Sequence, residues 1–119
     1  MDCEFMKFDK FEDILAWQKS MNLVVEIYVI ANKFRDYSFK DQLLRAVVSI
    51  MNNIAEGFER KTNSEFKHFL FIAKGSCGEV RSMLHLALNL KYITDEQHKV
   101  FINKSEEISK MLSGLIKTL

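Results

Sequence analysis

Apolar residues recur at steps of three and four in four separate runs along this chain, and strict alternation of the strand kind is absent. Ile14, Trp17, Met21, Val24, Tyr28 and Ala31 predict a first helix over about residues 12–34. Leu43, Val47, Ile50 and Ile54 predict a second over about 39–59. Phe66, Leu70, Ala73, Cys77, Val80, Leu84 and Ala87 predict a third over about 63–90, and Phe101, Ile108, Leu112, Leu115 and Leu119 a fourth over about 95–119. Three start signals divide these runs. Ser38-Phe39-Lys40-Asp41, Thr62-Asn63-Ser64-Glu65 and Thr94-Asp95-Glu96-Gln97 have capping-box spacing, the first with Asp in place of the usual Glu. A side-chain oxygen at each start satisfies N–H groups that the first helical turn leaves unpaired. Connections of only a few residues favour antiparallel neighbours. The expected fold is all-α: an antiparallel up-down-up-down four-helix bundle, one domain over residues 1–119.

The second helix carries more apolar surface than a monomer uses. Leu43, Leu44, Ala46, Val47, Val48, Ile50, Met51, Ile54, Ala55 and Phe58 fill an arc of roughly 200°, about twice an ordinary core-facing stripe. Leu23 and Ile30 also lie off the main stripe of the first helix. Two readings follow: either the second helix is the most buried of the four, or part of its arc meets another subunit.

Composition narrows the class. The chain is 48% hydrophobic and 28% charged, which excludes disorder. It has no proline, where average usage of about 5% predicts roughly six, and only 4 glycines, too few for a turn-rich β domain. The net charge of +1 advertises neither nucleic acid nor membrane. The opening MDCEFMKFDK contains no apolar signal core, and apolar stretches such as Ile27 to Ala31 fall far short of the ~20 residues of a membrane span. Cys3 and Cys77 form no CxxC or Cys/His spacing, so reduced thiols in a cytoplasmic protein are expected.

Metal and catalytic chemistry find little support. Glu65-x-x-His68 and Asp95-x-x-His98 resemble the carboxylate–histidine pairs of di-iron bundles. Each opens its helix, so in consecutive antiparallel helices the pairs lie roughly 40 Å apart at 1.5 Å per residue. His85 has no Cys or acid at ligand spacing and reads as a solvated side chain. Gly75-Ser76-Cys77-Gly78 sits inside an apolar helical repeat, not in a nucleotide-clamping loop, and no phosphate-cradling or nucleophile motif occurs. Gly75 and Gly78 each cost a helix about 1 kcal/mol relative to alanine, so a close backbone approach is expected to offset them. No catalytic residues, metal or cofactor are expected, and the chain is not expected to be an enzyme.

The polar arc of the second helix holds Arg45, Ser49, Asn52, Asn53 and Glu56 at steps of three and four. No histidine or second carboxylate joins it, so a hydrogen-bond ladder that fixes register in the bundle or in an oligomer interface is the preferred reading. The stretch around it, Gln42-Leu43-Leu44-Arg45-Ala46-Val47-Val48-Ser49-Ile50-Met51-Asn52-Asn53-Ile54-Ala55-Glu56-Gly57, resembles the signature of the 23S rRNA-intervening sequence protein family. Leu15-Ala16-Trp17-Gln18-Lys19 resembles that family's first-helix motif, and Glu65-Phe66, Phe69-Leu70 and Ile72-Ala73-Lys74-Gly75-Ser76 its third. Arg35 and Met51 depart from the pattern, standing where relatives often carry proline. The resemblance implies a four-helix bundle assembled as a homopentamer, tied to ribosomal RNA gene insertions and without enzyme activity. It also implies similarity in fold to the accessory variability protein of diversity-generating retroelements, which binds nucleic acid and partners a reverse transcriptase.

Charge distribution adds a modest argument of its own. Residues 37–91 hold eight Lys/Arg against five Asp/Glu, while residues 1–36 sum to −2. Lys67, Lys74 and Arg81 recur every seven residues along the third helix, with Phe71 and His85 on the same stripe. Aromatics among cations stack on bases while the cations follow phosphate, and repetition in an oligomer makes a weak stripe multivalent. The expected function is a small oligomeric helical protein associated with RNA, DNA or a nucleic-acid-processing protein. A homo-oligomeric protein-docking scaffold is the alternative.

Overall fold

Helix capping sets the frame of the molecule, which is described over residues 8–119 in a computed structural model. A 3-10 turn at Phe11–Asp13 precedes four helices: α1 Leu15–Ala31, α2 Tyr37–Phe58, α3 Asn63–Asn89 and α4 Asp95–Lys117. No strand occurs among the described residues. The Thr62 hydroxyl accepts from Glu65 N at the start of α3. At the start of α4, Thr94 accepts from Gln97 N while the Gln97 side chain accepts from Thr94 N, closing a full capping box.

The start of α2 corrects the sequence reading. Its cap is Asp36 rather than Ser38: Asp36 Oδ1 accepts from Phe39 N at 3.1 Å, and Ser38 lies exposed inside the first turn. The cause is tertiary. Asp36 Oδ2 also accepts from the Tyr92 hydroxyl at 2.9 Å, and the Tyr92 ring packs with Phe34 and Phe39 at centroid distances of 5.6 and 5.4 Å. The cluster anchors Phe34 beyond the end of α1, which is why α1 stops at Ala31 rather than near residue 34.

α1 is also rotated from its expected phase. Ala16, Ser20, Leu23, Ile27 and Ala31 are buried, whereas Met21 and Tyr28 are exposed. Leu23, read from the sequence as off the main stripe, is 1% exposed and belongs to the core, and Ile30 packs half-buried against it. Small residues at 16 and 20 let α1 lie close to its neighbours, and the Ser20 hydroxyl is satisfied by the Ala16 carbonyl at 2.6 Å.

The helices run antiparallel to their neighbours in sequence. Ser49 of α2 meets Ser76 of α3 and Gly57 lies against Phe69, so position rises along one helix as it falls along the other. Ser105 of α4 donates to the Cys77 carbonyl of α3, and His98 meets His85. Lys104–Glu26 at 2.7 Å and Lys19–Glu107 at 3.3 Å tie α4 back to α1 and close the ring. Ile27, Val47, Ile50, Leu70, Leu84 and Leu112 fill the enclosed core. The bundle is 47 Å long and about 20 Å across.

Close backbone approach occurs at Gly57, not at Gly75 or Gly78. A Cβ on Gly57 would stand 2.6 Å from Phe69 Cβ, whereas one on Gly75 would meet nothing within 4 Å and one on Gly78 only Arg81 Nη2 at 3.9 Å. Gly75 faces solvent and Gly78 lies beside a flexible cation, so neither packs against a neighbouring helix within the chain.

α3 ends in a Schellman motif. Tyr92 N donates to the Ala87 carbonyl at 2.8 Å and Lys91 N to the Leu88 carbonyl at 3.0 Å, with Lys91 in left-handed backbone at φ 63. That reversal returns Tyr92 to Asp36. Among the described residues no helix is long and apolar enough to cross a membrane. Cys3 lies outside the described residues.

Candidate assembly and nucleic-acid interfaces

The polar arc of α2 faces outward over most of its length. Arg45 and Asn52 are exposed and make no side-chain hydrogen bond among the described residues. Among the described residues Glu56 pairs with Arg60, just past the end of α2, at 3.5 Å. Ser49 alone reaches another helix: its hydroxyl donates to Ser76 Oγ at 2.5 Å and lies 2.9 Å from the Ala46 carbonyl. Asn53 Nδ2 donates to the Ser49 carbonyl at 2.8 Å. The ladder expected from the sequence therefore has one rung inside the chain, and its other members belong to the surface.

Those surface members line an open groove of about 470 Å³ together with Tyr28, Asp41, Leu44 and Val48. Tyr28, 48% exposed, brings α1 into this face. The wide apolar arc of α2 divides accordingly. Leu43, Val47, Ile50 and Ile54 are buried, while Leu44, Val48 and Met51 are only half-covered. A contiguous apolar strip thus borders the polar arc, the composition of a surface with an apolar centre and polar rim.

The basic stripe of α3 lies on a different face. Lys67, Lys74 and Arg81 are half-buried, their stems lying along the bundle, and Phe71 is 55% exposed between the first two. His85 is exposed, in keeping with the sequence reading, and has a neighbour that reading did not supply: its Nδ1 lies 2.9 Å from His98 Nε2 of α4, with ring centroids 5.0 Å apart. The reason is the short α3–α4 reversal, which lays the last turns of α3 beside the first turns of α4. The Glu65/His68 and Asp95/His98 pairs stay at opposite ends, and no group of three or more metal-ligating side chains occurs among the described residues.

Lys74 and Arg81 also meet residues that sequence reasoning missed. With Glu106, Ser109, Lys110 and Ser113 of α4 they line a cleft of about 270 Å³. Nothing local to α3 signals these neighbours; only the pairing of α3 with α4 does. Beneath the cleft is Cys77, fully buried, whose thiol burial pushes up to about 11 against the opposing pull of Arg81 and Lys74.

An all-helical chain with short connections, a closed four-helix core and its exposed chemistry spread over outer faces is a small four-helix-bundle protein. It belongs to the 23S rRNA-intervening sequence protein family, whose model matches residues 12–114. The fold is similar to the crystal structure of a protein of unknown function from the S23 ribosomal protein family of Bacteroides thetaiotaomicron VPI-5482. That similarity has a TM-score of 0.81 at 30% sequence identity, covering 87% of this chain and 96% of the other. Comparison with curated proteins gives no match.

Proposed function

We propose that this chain is a non-enzymatic, cytoplasmic, oligomeric protein that binds nucleic acid through the outer face of α3. The observation that carries the reading is Phe71, more than half exposed on a helix face that also presents Lys67 and Lys74. A large exposed aromatic between cations matches the chemistry of single-stranded nucleic acid, where rings stack on bases and cations track phosphate. The separate strip of Tyr28, Leu44 and Val48 beside Arg45 and Asn52 supports self-association, with Gly75 leaving open space on α3. A stoichiometry of five rests on the family resemblance alone.

Fluorescence anisotropy with labelled single-stranded RNA and DNA across a salt series tests the reading. Binding that weakens steeply with salt is expected, because phosphate contacts release condensed counterions. Absence of binding at low salt rejects it, and the protein-docking scaffold then takes its place.

A further inference from the structure

We propose that His85 and His98 form a two-point site for a divalent transition-metal ion that clips the end of α3 to the start of α4. The residues stand thirteen positions apart and meet only because the reversal at Lys91 lays the two helices side by side. His85 Nδ1 and His98 Nε2 face each other at 2.9 Å, so in the hydrogen-bonded pair one of these nitrogens carries the shared proton. When that proton sits on the outer nitrogen of its own ring, both inner nitrogens aim lone pairs at one small volume. Neutral imidazole in that tautomer is the form that ligates a metal. The outer nitrogens, His85 Nε2 and His98 Nδ1, make no hydrogen bond among the described residues, so no protein group holds the competing tautomer.

The spacing selects among metals. Two nitrogens each about 2.0–2.1 Å from one ion stand about 2.9 Å apart at a right angle and about 3.4 Å apart at the tetrahedral angle. The observed 2.9 Å fits neighbouring corners of a square-planar or octahedral ion, Cu²⁺ or Ni²⁺, better than tetrahedral Zn²⁺. The rings meet nearly head-on, with centroids 5.0 Å apart and planes inclined at 51°. An ion therefore sits to one side of the line between the nitrogens, and each ring swings by roughly 45° to face it, a soft motion for a histidine side chain. His85 is exposed and His98 only half-buried, which leaves room for that swing. Water fills the remaining positions, since no third His, Cys, Asp or Glu joins the pair among the described residues. The local charge suits a cation. His85 lies about one turn from the C-terminal end of α3, and Asp95 and Glu96 in the first turn of α4 counter the positive end of that helix.

Calorimetric titration of NiCl₂ and CuCl₂ into tag-free protein carrying Cys3→Ser, which removes a competing thiol ligand, tests the site. His85→Gln and His98→Gln are titrated in the same background, beside His68→Gln at the opposite end of the bundle, with circular dichroism confirming the fold of each. One ion per chain is expected. Affinity should fall about a hundredfold in either His85→Gln or His98→Gln, because the remaining imidazole loses its tethered partner, and should be unchanged in His68→Gln. Electron paramagnetic resonance of the Cu²⁺ complex should show coupling to two imidazole nitrogens, reduced to one in each single variant. Saturating Ni²⁺ should raise Tm by several degrees in the parent and leave His85→Gln where it was, since the chelated ion binds only the closed hairpin. Binding that is equal in all variants, that needs only one of the two histidines, or that leaves Tm unmoved at saturation overturns the site. So does an absence of binding at submillimolar metal.

Discussion

The Tyr92 hydroxyl donates to Asp36 across fifty-six positions of sequence, and the same carboxylate caps α2 through Phe39 N. One side chain therefore starts a helix and pins the α3–α4 reversal to it. Asp36→Ala should cost about 1 kcal/mol for the cap alone and leave the Tyr92 hydroxyl without its acceptor. The hydrogen bond to Asp36, then burial, raise the Tyr92 phenol above its ordinary value. A raised folded value contributes stability that is complete below the unfolded value and is lost as pH climbs through the folded one. Urea titrations in the alkaline range should show wild type losing stability that Tyr92→Phe never had, so the two should converge at the highest pH.

Gly57→Ala should be among the more damaging single-methyl additions in the chain. The added Cβ would stand 2.6 Å from Phe69 Cβ and 3.3 Å from the Phe66 carbonyl oxygen, atoms too near the backbone to swing aside. Overpacking of this kind costs about 1–3 kcal/mol. Chemical denaturation reads the cost directly, and Gly75→Ala, which meets nothing within 4 Å, is the control expected to stabilise the helix.

Lys91→Gly should stabilise. Lys91 holds left-handed backbone at φ 63 to complete the Schellman motif, a conformation that penalises a side chain and suits glycine. A gain of about 1 kcal/mol, or a few degrees in Tm, is expected by calorimetry.

Cys77 should resist alkylation in the folded protein at pH 8. Burial raises its thiol to about 11, so the reactive thiolate is scarce and the sulfur is enclosed. The sign again favours the neutral form: stability from this group is intact below pH 9 and drains away as pH rises toward 11. Mass spectrometry after iodoacetamide treatment, with and without denaturant, measures the protection.

Light scattering coupled to size exclusion should give a mass near five times 14.0 kDa. Tyr28→Glu, exposed on α1 where it lines the α2 groove, should reduce it without unfolding the bundle. A wild-type monomer at micromolar concentration would remove the assembly reading, and a dimer or tetramer only its number.

The buried faces of α2, α3 and α4 were legible because their apolar steps have one dominant phase, and Thr62 and Thr94 announce the starts of the last two. The existence of α1 was legible too, but not its buried face, because Val24 to Ala31 is apolar on every side save Glu26, leaving periodicity to choose among competing stripes. The small residues Ala16 and Ser20, buried where α1 packs closely, carry no hydropathy signal. Asp36 could not be preferred over Ser38 from neighbouring sequence, since the deciding partner is Tyr92. The α3 stripe was readable residue by residue. Its partners Ser109, Lys110, Ser113 and His98 come from α4, and only the packed hairpin brings them together.

The reversal at Lys91 bears on how copies of the chain keep apart. If Lys91 relaxed to right-handed geometry and the extended Thr94 turned helical with it, α3 would run on into α4 as one rod, and each α4 would find its core only in another molecule. That is domain swapping, in which identical elements are exchanged between protomers. The strain at Lys91 pushes toward the rod, while the Tyr92–Ala87 and Tyr92–Asp36 hydrogen bonds hold only while the hairpin is closed. Through Tyr92, Asp36 therefore holds the closed side of a reversal that lies far from it in sequence.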